Sequence, residues 1–459
     1  MRSADLRDRL GELVARHGVP GASIAVLAEG EVATAAAGVL NLDTGVEATA
    51  DSLFQIGSVT KLYTATLVIG LVEEGRVDLD APVVTYLPEL RLADPEVTAT
   101  VTLRHLLTHT SGIGGDHFPD LGRGEDVVAR YVASCAEIGQ THPLGATMSY
   151  CNTGFVIAGR VVEKVTEETW DDALARRLLA PLGVERTFTH PEDVLRFRSA
   201  LGHAEHDGET RPVSQWGLPR SCGPAGLICA TAADVVAFAR PYLDAGRAPG
   251  GARVLSAESV AAMLEPRVAV PDPYTMGSGF GLAWVRFDGE GPRVHGHNGG
   301  TIGQASFFRV VPEAGVAVAL LANGGHFQDL YEDLVVPLLE ELAGATMPAP
   351  PAPPAVAPRV DLDPYVGAYE RLGNRVEVER RDDGLTARLI TTGPLAEVMP
   401  DPVMELDLRA VRPGLFVTHV AGAEAWTTMA FYRLDDGSPY VHFALRATPK
   451  VAASATSSR

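Results

Sequence analysis

A chain of 459 residues, with 46% hydrophobic and 21% charged side chains, has the composition of a folded protein built from more than one structural unit. Its formal net charge of -20 repels phosphate, so DNA, RNA and an anionic membrane are not expected as partners, and the same charge also serves plain solubility. No stretch approaches about 18 uninterrupted apolar residues, so no membrane span is expected.

Taken in chain order, the first ten residues, MRSADLRDRL, read as the start of an amphipathic helix, not as a basic segment followed by an apolar one; a cytoplasmic protein is expected. Residues 23–39 predict a β-hairpin turning at Glu29-Gly30. The segment FQIGSVTK at 54–61 leads into an apolar run, 62–72, which reads as a buried helix stopped by Gly75. Residues 103–264 carry mostly helical patterns broken by Gly- and Pro-rich loops. Strands return at 281–285, 304–311 and 315–321, and a helix at 332–342 closes this part. A sheet assembled from both ends of a segment around a helical insert predicts an α/β domain with a helical subdomain, here 1–346.

Residues 347–359 (MPAPPAPPAVAPR) form a proline-rich, extended linker. Beyond it the period changes to two, at 375–379, 385–390, 404–408, 415–420, 427–432 and 440–446. Short alternating strands at such spacing predict a small antiparallel β-barrel over 360–451, with a disordered tail at 452–459. The four cysteines, Cys135, Cys151, Cys222 and Cys229, form no CxxC pair and no metal spacing, and are expected as reduced, mostly buried thiols.

Three short elements carry candidate chemistry. Ser58 and Lys61 stand three residues apart, which places both on one face of a helix. A serine hydroxyl needs a base to become a nucleophile, and a lysine serves only if burial or nearby positive charge lowers its pKa. Lysine occurs in this chain only at 61, 164 and 450, so its presence here stands out. Alone, the pair also describes a solvated helix start. Tyr150 and Asn152 share a face if that stretch is extended; a tyrosine can relay protons and an asparagine can hold Lys61 and a substrate amide, although a bonded buried Tyr is ordinary core. His297-Asn298-Gly299-Gly300 precedes a strand, and its glycines allow close backbone approach; a backbone N–H there, with that of Ser58, could form an oxyanion hole. His295 with His297, and His105 with His109, lack the further ligands a metal site requires, so neither a metal nor any other cofactor is expected.

In this order and at these separations the three elements resemble those of the serine β-lactamase and penicillin-binding protein superfamily, whose motifs are SxxK, YxN and KTG or HxG. The segments LDAPV at 79–83, LLTHTSG at 106–112 and GPAGLICATAAD at 223–234 look like family segments too, and the resemblance covers roughly residues 5–345. It implies an antiparallel sheet flanked by helices. It also implies Ser58 as nucleophile, Lys61 as its base, Tyr150 as proton relay, Asn152 as positioning group, His297 in the third motif, and backbone N–H groups of Ser58 and Gly300 at the oxyanion. His297 and Asn298 stand where β-lactamases and transpeptidases carry the Lys and Thr that help bind a carboxylate, which puts β-lactam recognition in doubt.

The chain is most similar to the penicillin-binding-protein-type thioesterases, which carry HNGG-like third motifs and a C-terminal lipocalin-like barrel. The resemblance implies a peptidyl thioester substrate on the carrier protein of a peptide synthetase, released by head-to-tail cyclisation. Asn298, Gly299, Trp216 and Arg446 are candidate substrate contacts. Trp216 equally fits core packing; Arg446, read on the face of His442 and Ala444, equally fits an exposed barrel arginine. Esterase, D-aminopeptidase and β-lactamase chemistry are the alternatives, and a non-catalytic binding protein that works through its barrel is the remote one.

Overall fold

The computed structural model describes residues 3–206, 208–349, 351–381, 384–393, 396, 402–420 and 425–452. The hairpin forms as Gly21–Ala28 and Glu31–Asn41, joined by Glu29 and Gly30 at φ 53° and 82°. Positive φ at both central residues is what a two-residue turn between twisted strands demands. Strand Gly21–Ala28 then pairs on its other side with Val316–Ala322, nearly 300 residues downstream (Ala22 faces Ala322). Ala305–Val311 and Val294–Gly300 follow, and short strands complete a nine-stranded antiparallel sheet.

Both faces of this sheet are covered, and the strands show it residue by residue. Ala22, Ile24 and Val26 enter one apolar core while Ala25 and Leu27 enter the other. Val318 and Leu320 alternate with Ala317, Ala319 and Leu321 in the same way. Period-two geometry sends successive side chains to opposite faces, so a strand apolar at every position must lie between two layers. Helix Ser3–Arg16 contributes Leu6, Leu10, Leu13 and Val14 to the first core, beside helix Phe327–Ala343. The second core belongs to the helical insert, with helix Thr60–Glu73 at its centre, buried on nearly every side.

The C-terminal unit has eight strands, each antiparallel to the next, from Gly367–Arg371 to Arg446–Pro449. A bridge from Tyr369 to Lys450 and a bond from the Val451 N–H to the Ala368 carbonyl (2.8 Å) bring the last strand back to the first. The barrel is nearly closed. Its interior is filled by Val376, Val378, Leu406, Leu408, Phe416 and Met429, among others. The expected tail lies, from residue 453 onward, outside the described residues.

Three expected elements change. Residues 281–285 read as one strand, but the chain turns there, and 281–284 join Gly279–Phe280 to Val285–Phe287. Residues 440–446 read as one alternating strand, but the chain folds back within them. Ala444 and Leu445 take left-handed conformations (φ 47° and 66°) and join Pro439–Phe443 to Arg446–Pro449. Neither residue is one that ordinarily marks such a turn. The HNGG segment, read as preceding a strand, lies inside one, Val294–Gly300.

Candidate active site

Ser58 sits in the 3-10 turn Gly57–Val59 that runs directly into helix Thr60–Glu73, and Lys61 is in that helix's first turn. The Lys61 Nζ lies 3.0 Å from Ser58 Oγ and donates to the Ala225 carbonyl at 2.7 Å. Ser58 is half-buried, whereas Lys61 is wholly buried. Burial, with Arg446 adding its charge, pushes the Lys61 amine well below the usual value for lysine.

Gly57 shows why this turn is built as it is. Its φ is 50°, and a side chain there would come within 2.7 Å of the Gly300 nitrogen. Gly299 is under the same constraint, since a Cβ there would run into the Ile56 carbonyl. These two glycines let the third-motif strand press against the serine turn, and Ser306 Oγ donates to the Ile56 carbonyl (2.7 Å) to hold it there. The Gly300 backbone therefore lies against the Ser58 turn.

Tyr150 is buried, with its hydroxyl 3.4 Å from His297 Nε2. Its ring stacks on His109 at 4.2 Å between centroids, with Lys61 Nζ 4.9 Å and the Arg446 guanidinium 4.8 Å from its own centroid. Burial pushes the phenol well above its ordinary value, against the opposing effect of the Ser58 hydroxyl, so it stays protonated. Burial, with Lys61 close by, brings His297 down to about 3, so the imidazole is neutral at neutral pH. His109 accepts from the Cys151 N–H at Nδ1 (3.0 Å), and His105 caps helix Leu103–Leu107. Among the described residues no group of three or more His, Cys, Asp or Glu is arranged to hold a metal ion.

Asn152 opens helix Asn152–Thr166, capped by Cys151, so residues 150–152 are not one extended stretch. Its amide lies 3.4 Å from Asp116 Oδ1 and is the donor there. Asp116 is the site residue that the sequence reading missed. It receives Arg446 through two bonds (3.1 and 2.7 Å) and Arg371 at 2.7 Å, both from the barrel. Burial opposes its ionisation, but the two guanidinium groups outweigh that and hold its carboxyl at about 2. An acidic residue in a loop starting Gly114-Gly115 was the available signal, but nothing local ties it to an arginine 330 positions away.

Ser58, Tyr150, His297 and residues 298–300 line a cavity of about 670 Å³, and the Ala444-Leu445 turn forms part of its wall. The Tyr150 N–H donates to the Leu445 carbonyl at 2.9 Å, so the barrel is joined to the site by main chain. Asn298 lines this cavity while its Oδ1 accepts from Arg309 Nη2 at 2.7 Å. Arg446 is mostly buried against Asp116 and Tyr150, so it is neither an exposed barrel arginine nor among the residues lining this cavity. Trp216 lines a different cavity and donates from Nε1 to the Ala200 carbonyl (3.2 Å).

A two-core antiparallel sheet with a buried lysine beside a serine on an insert helix defines the serine hydrolases of the β-lactamase fold. The family model described as "Beta-lactamase" matches residues 6–341, and the chain belongs to that family. It is 48% identical over 373 residues to Penicillin-binding protein 4 of Amycolatopsis lactamdurans, covering 81% of this chain and 98% of that one. The crystal structure of SurE superposes with a TM-score of 0.78 at 28% identity, covering 98% of this chain and 99% of that one, so the likeness runs through the barrel. SurE with D-Leu gives a TM-score of 0.75 at 29% identity. A D-amino acid amidase from Ochrobactrum anthropi SV3 gives a TM-score of 0.62 at 25% identity, covering 74% of this chain and 98% of that one. Among the described residues no helix is long and apolar enough to cross a membrane.

Proposed function

We propose that this protein is an acyltransferase that accepts a peptidyl thioester at Ser58 and releases the peptide by head-to-tail cyclisation. The observation that carries this reading is the barrel turn at Ala444-Leu445, bonded to Tyr150 and walling the cavity that Ser58 opens into. A wall contributed by a second domain narrows the access of water, which favours an amine as the group that resolves the acyl-enzyme. Whole-chain likeness to SurE, crystallised also with D-Leu, and likeness to a D-amino acid amidase support a D-configured residue at the acylated end.

The chemistry follows from the protonation states. Neutral Lys61 takes the proton of Ser58 as Oγ bonds to the thioester carbonyl carbon, with backbone N–H groups of Ser58 and Gly300 facing the developing oxyanion. The C–S bond then breaks. Tyr150, held as phenol, protonates the departing thiolate and is reprotonated from Lys61. The peptide's own amine next attacks the ester carbon; C–N forms, C–Oγ breaks, and the amine's proton returns to Ser58 along the same path. Asn152 positions the site, His297 stays neutral beside Tyr150, and a carrier protein delivers the thioester.

The test offers a peptidyl thioester with a C-terminal D-residue and follows products by mass spectrometry. Cyclic peptide from the wild type, and no acyl adduct on Ser58→Ala, are expected. Linear acid alone from every peptide offered overturns the cyclase reading and leaves a hydrolase.

A further inference from the structure

A second cavity, of about 1050 Å³, is lined by Gln55, three residues before Ser58, and none of its lining residues is shared with the cavity at Ser58. Gln55 links the two linings. Its main-chain N–H donates to Gln304 Oε1 (3.0 Å), which lines the Ser58 cavity, while its own side chain faces the second one.

Two polar atoms on this wall have no partner. Gln55 is only 2% exposed and its Oε1 accepts from nothing. The orientation of that amide is set by its other end, because Nε2 donates to the Trp216 carbonyl and a flipped amide would oppose two oxygens. Arg220 Nη1 is a buried donor without an acceptor, although Nη2 is paired with Asp171. A buried acceptor and a buried donor left unmatched are costly unless a ligand meets them. A peptide backbone supplies both groups, as N–H and C=O.

The remaining wall specifies what that peptide carries. Trp216, Leu218 and Leu227 line it, and Leu195 is 73% exposed. Of the charged lining residues, Arg123 pairs with Glu192 at 3.1 Å and Arg220 with Asp171 behind the wall, while the Asp120 carboxylate accepts from the Gly122 N–H (3.0 Å). The apolar part of this mixed wall fits an apolar segment, and Asp120 disfavours an anionic one. Gln55 is three positions from Ser58, so their Cα atoms are at most about 11 Å apart, or about three residues of extended peptide.

We infer that this cavity is a subsite for the apolar residues of the acyl peptide about two to four positions upstream of the acylated residue, with a peptide N–H on Gln55 Oε1 and a peptide C=O on Arg220 Nη1. The inference rests on the peptidyl reading above, but its test needs no turnover. Full-length Ser58→Ala is titrated with a linear hexapeptide acid that ends in D-leucine and carries leucine or phenylalanine upstream, and tryptophan emission is followed. Binding should change the emission, and Trp216→Phe should remove most of that change. Leu195→Asp, at an exposed position, should weaken binding tenfold or more, as should N-methylation of one upstream amide. D-leucine alone should leave the Trp216 signal unmoved. Binding insensitive to Leu195→Asp and silent at Trp216, or no binding of any such peptide at millimolar concentration, overturns the subsite. A peptide that binds as expected but whose thioester the wild type only hydrolyses overturns the cyclase reading and leaves the subsite standing.

Discussion

The two units of this chain solve burial in opposite ways. The N-terminal unit keeps candidate reactive groups inside: Lys61 and His297 are wholly buried, and burial pushes each toward its neutral form. The barrel keeps its inside mostly apolar and turns several polar groups toward the face that meets the other unit. There Arg371 and Arg446 reach Asp116, Thr428 reaches Asp272, and Tyr432 meets Thr147 (3.1 Å). The difference teaches that the barrel acts at its surface. Its interior is structural, and its contribution to the site is one strained turn and two arginines.

The largest effect expected within this contrast belongs to Lys61. Lys61→Met should lower the rate of Ser58 acylation by about 10²–10⁴-fold, the usual worth of a general base, as read by the growth of the acyl adduct in intact mass. In the wild type the rate should rise with pH through the lowered Lys61 pKa, because only the neutral amine is a base, and the limb should be complete well short of ordinary lysine titration. The same shift works against the fold. The unfolded chain binds a proton that folded Lys61 does not, so the penalty is full below the folded pKa and fades as pH rises toward 10.5. Lys61→Met should therefore raise Tm while removing activity. A variant that acylates like the wild type would exclude Lys61 as the base.

Asp116 tests the seam. Asp116→Ala leaves two mostly buried guanidinium groups without a carboxylate, and unfolding in urea should show a loss of about 3–5 kcal/mol. Because its folded carboxyl is lowered from 3.8 to about 2, the contribution of Asp116 is present above pH 3.8 and is lost as pH falls through the folded value. A loss below about 1 kcal/mol would mean that the arginines find solvent and the seam is loose.

Thr428 gives the smallest effect and isolates docking from chemistry. It donates to Asp272, a carboxylate buried at the seam whose other donors are Thr275 Oγ1 (2.8 Å) and the Tyr274 N–H (3.2 Å). Thr428→Val should cost about 1–3 kcal/mol in thermal or urea unfolding. Acylation of Ser58 by a short thioester should be little changed. If acylation falls as far as in Lys61→Met, the barrel's seating governs the chemistry itself, and the contrast between the two units fails.

How legible was this from sequence? The hairpin, the apolar helix after Ser58 and most barrel strands follow from local period and turn chemistry, which few other segments can override. The two halves of the sheet were legible as strands, but their pairing was not. The break at Ala444-Leu445 was invisible, because both residues continue an alternating pattern and neither favours positive φ. Asp116 was invisible for a different reason: its role is defined wholly by Arg371 and Arg446, which are over 250 positions away.

By itself the sequence determined which side chains could carry the chemistry. Three-residue spacing puts Ser58 and Lys61 on one face, and the glycines at 299 and 300 mark a segment that allows close backbone approach. Only the tertiary structure decided what state those groups are in and what surrounds them. The Lys61 amine is pushed below its ordinary pKa because packing from many segments removes water from it. Arg446 supports Tyr150 and leaves the cavity at Ser58 to other residues, because the barrel docks it onto Asp116. Trp216 belongs to a second cavity, which shares no lining residue with the one at Ser58. Local spacing is a property of the covalent chain; burial, charge state and the division of space are properties of segments that meet only when it folds.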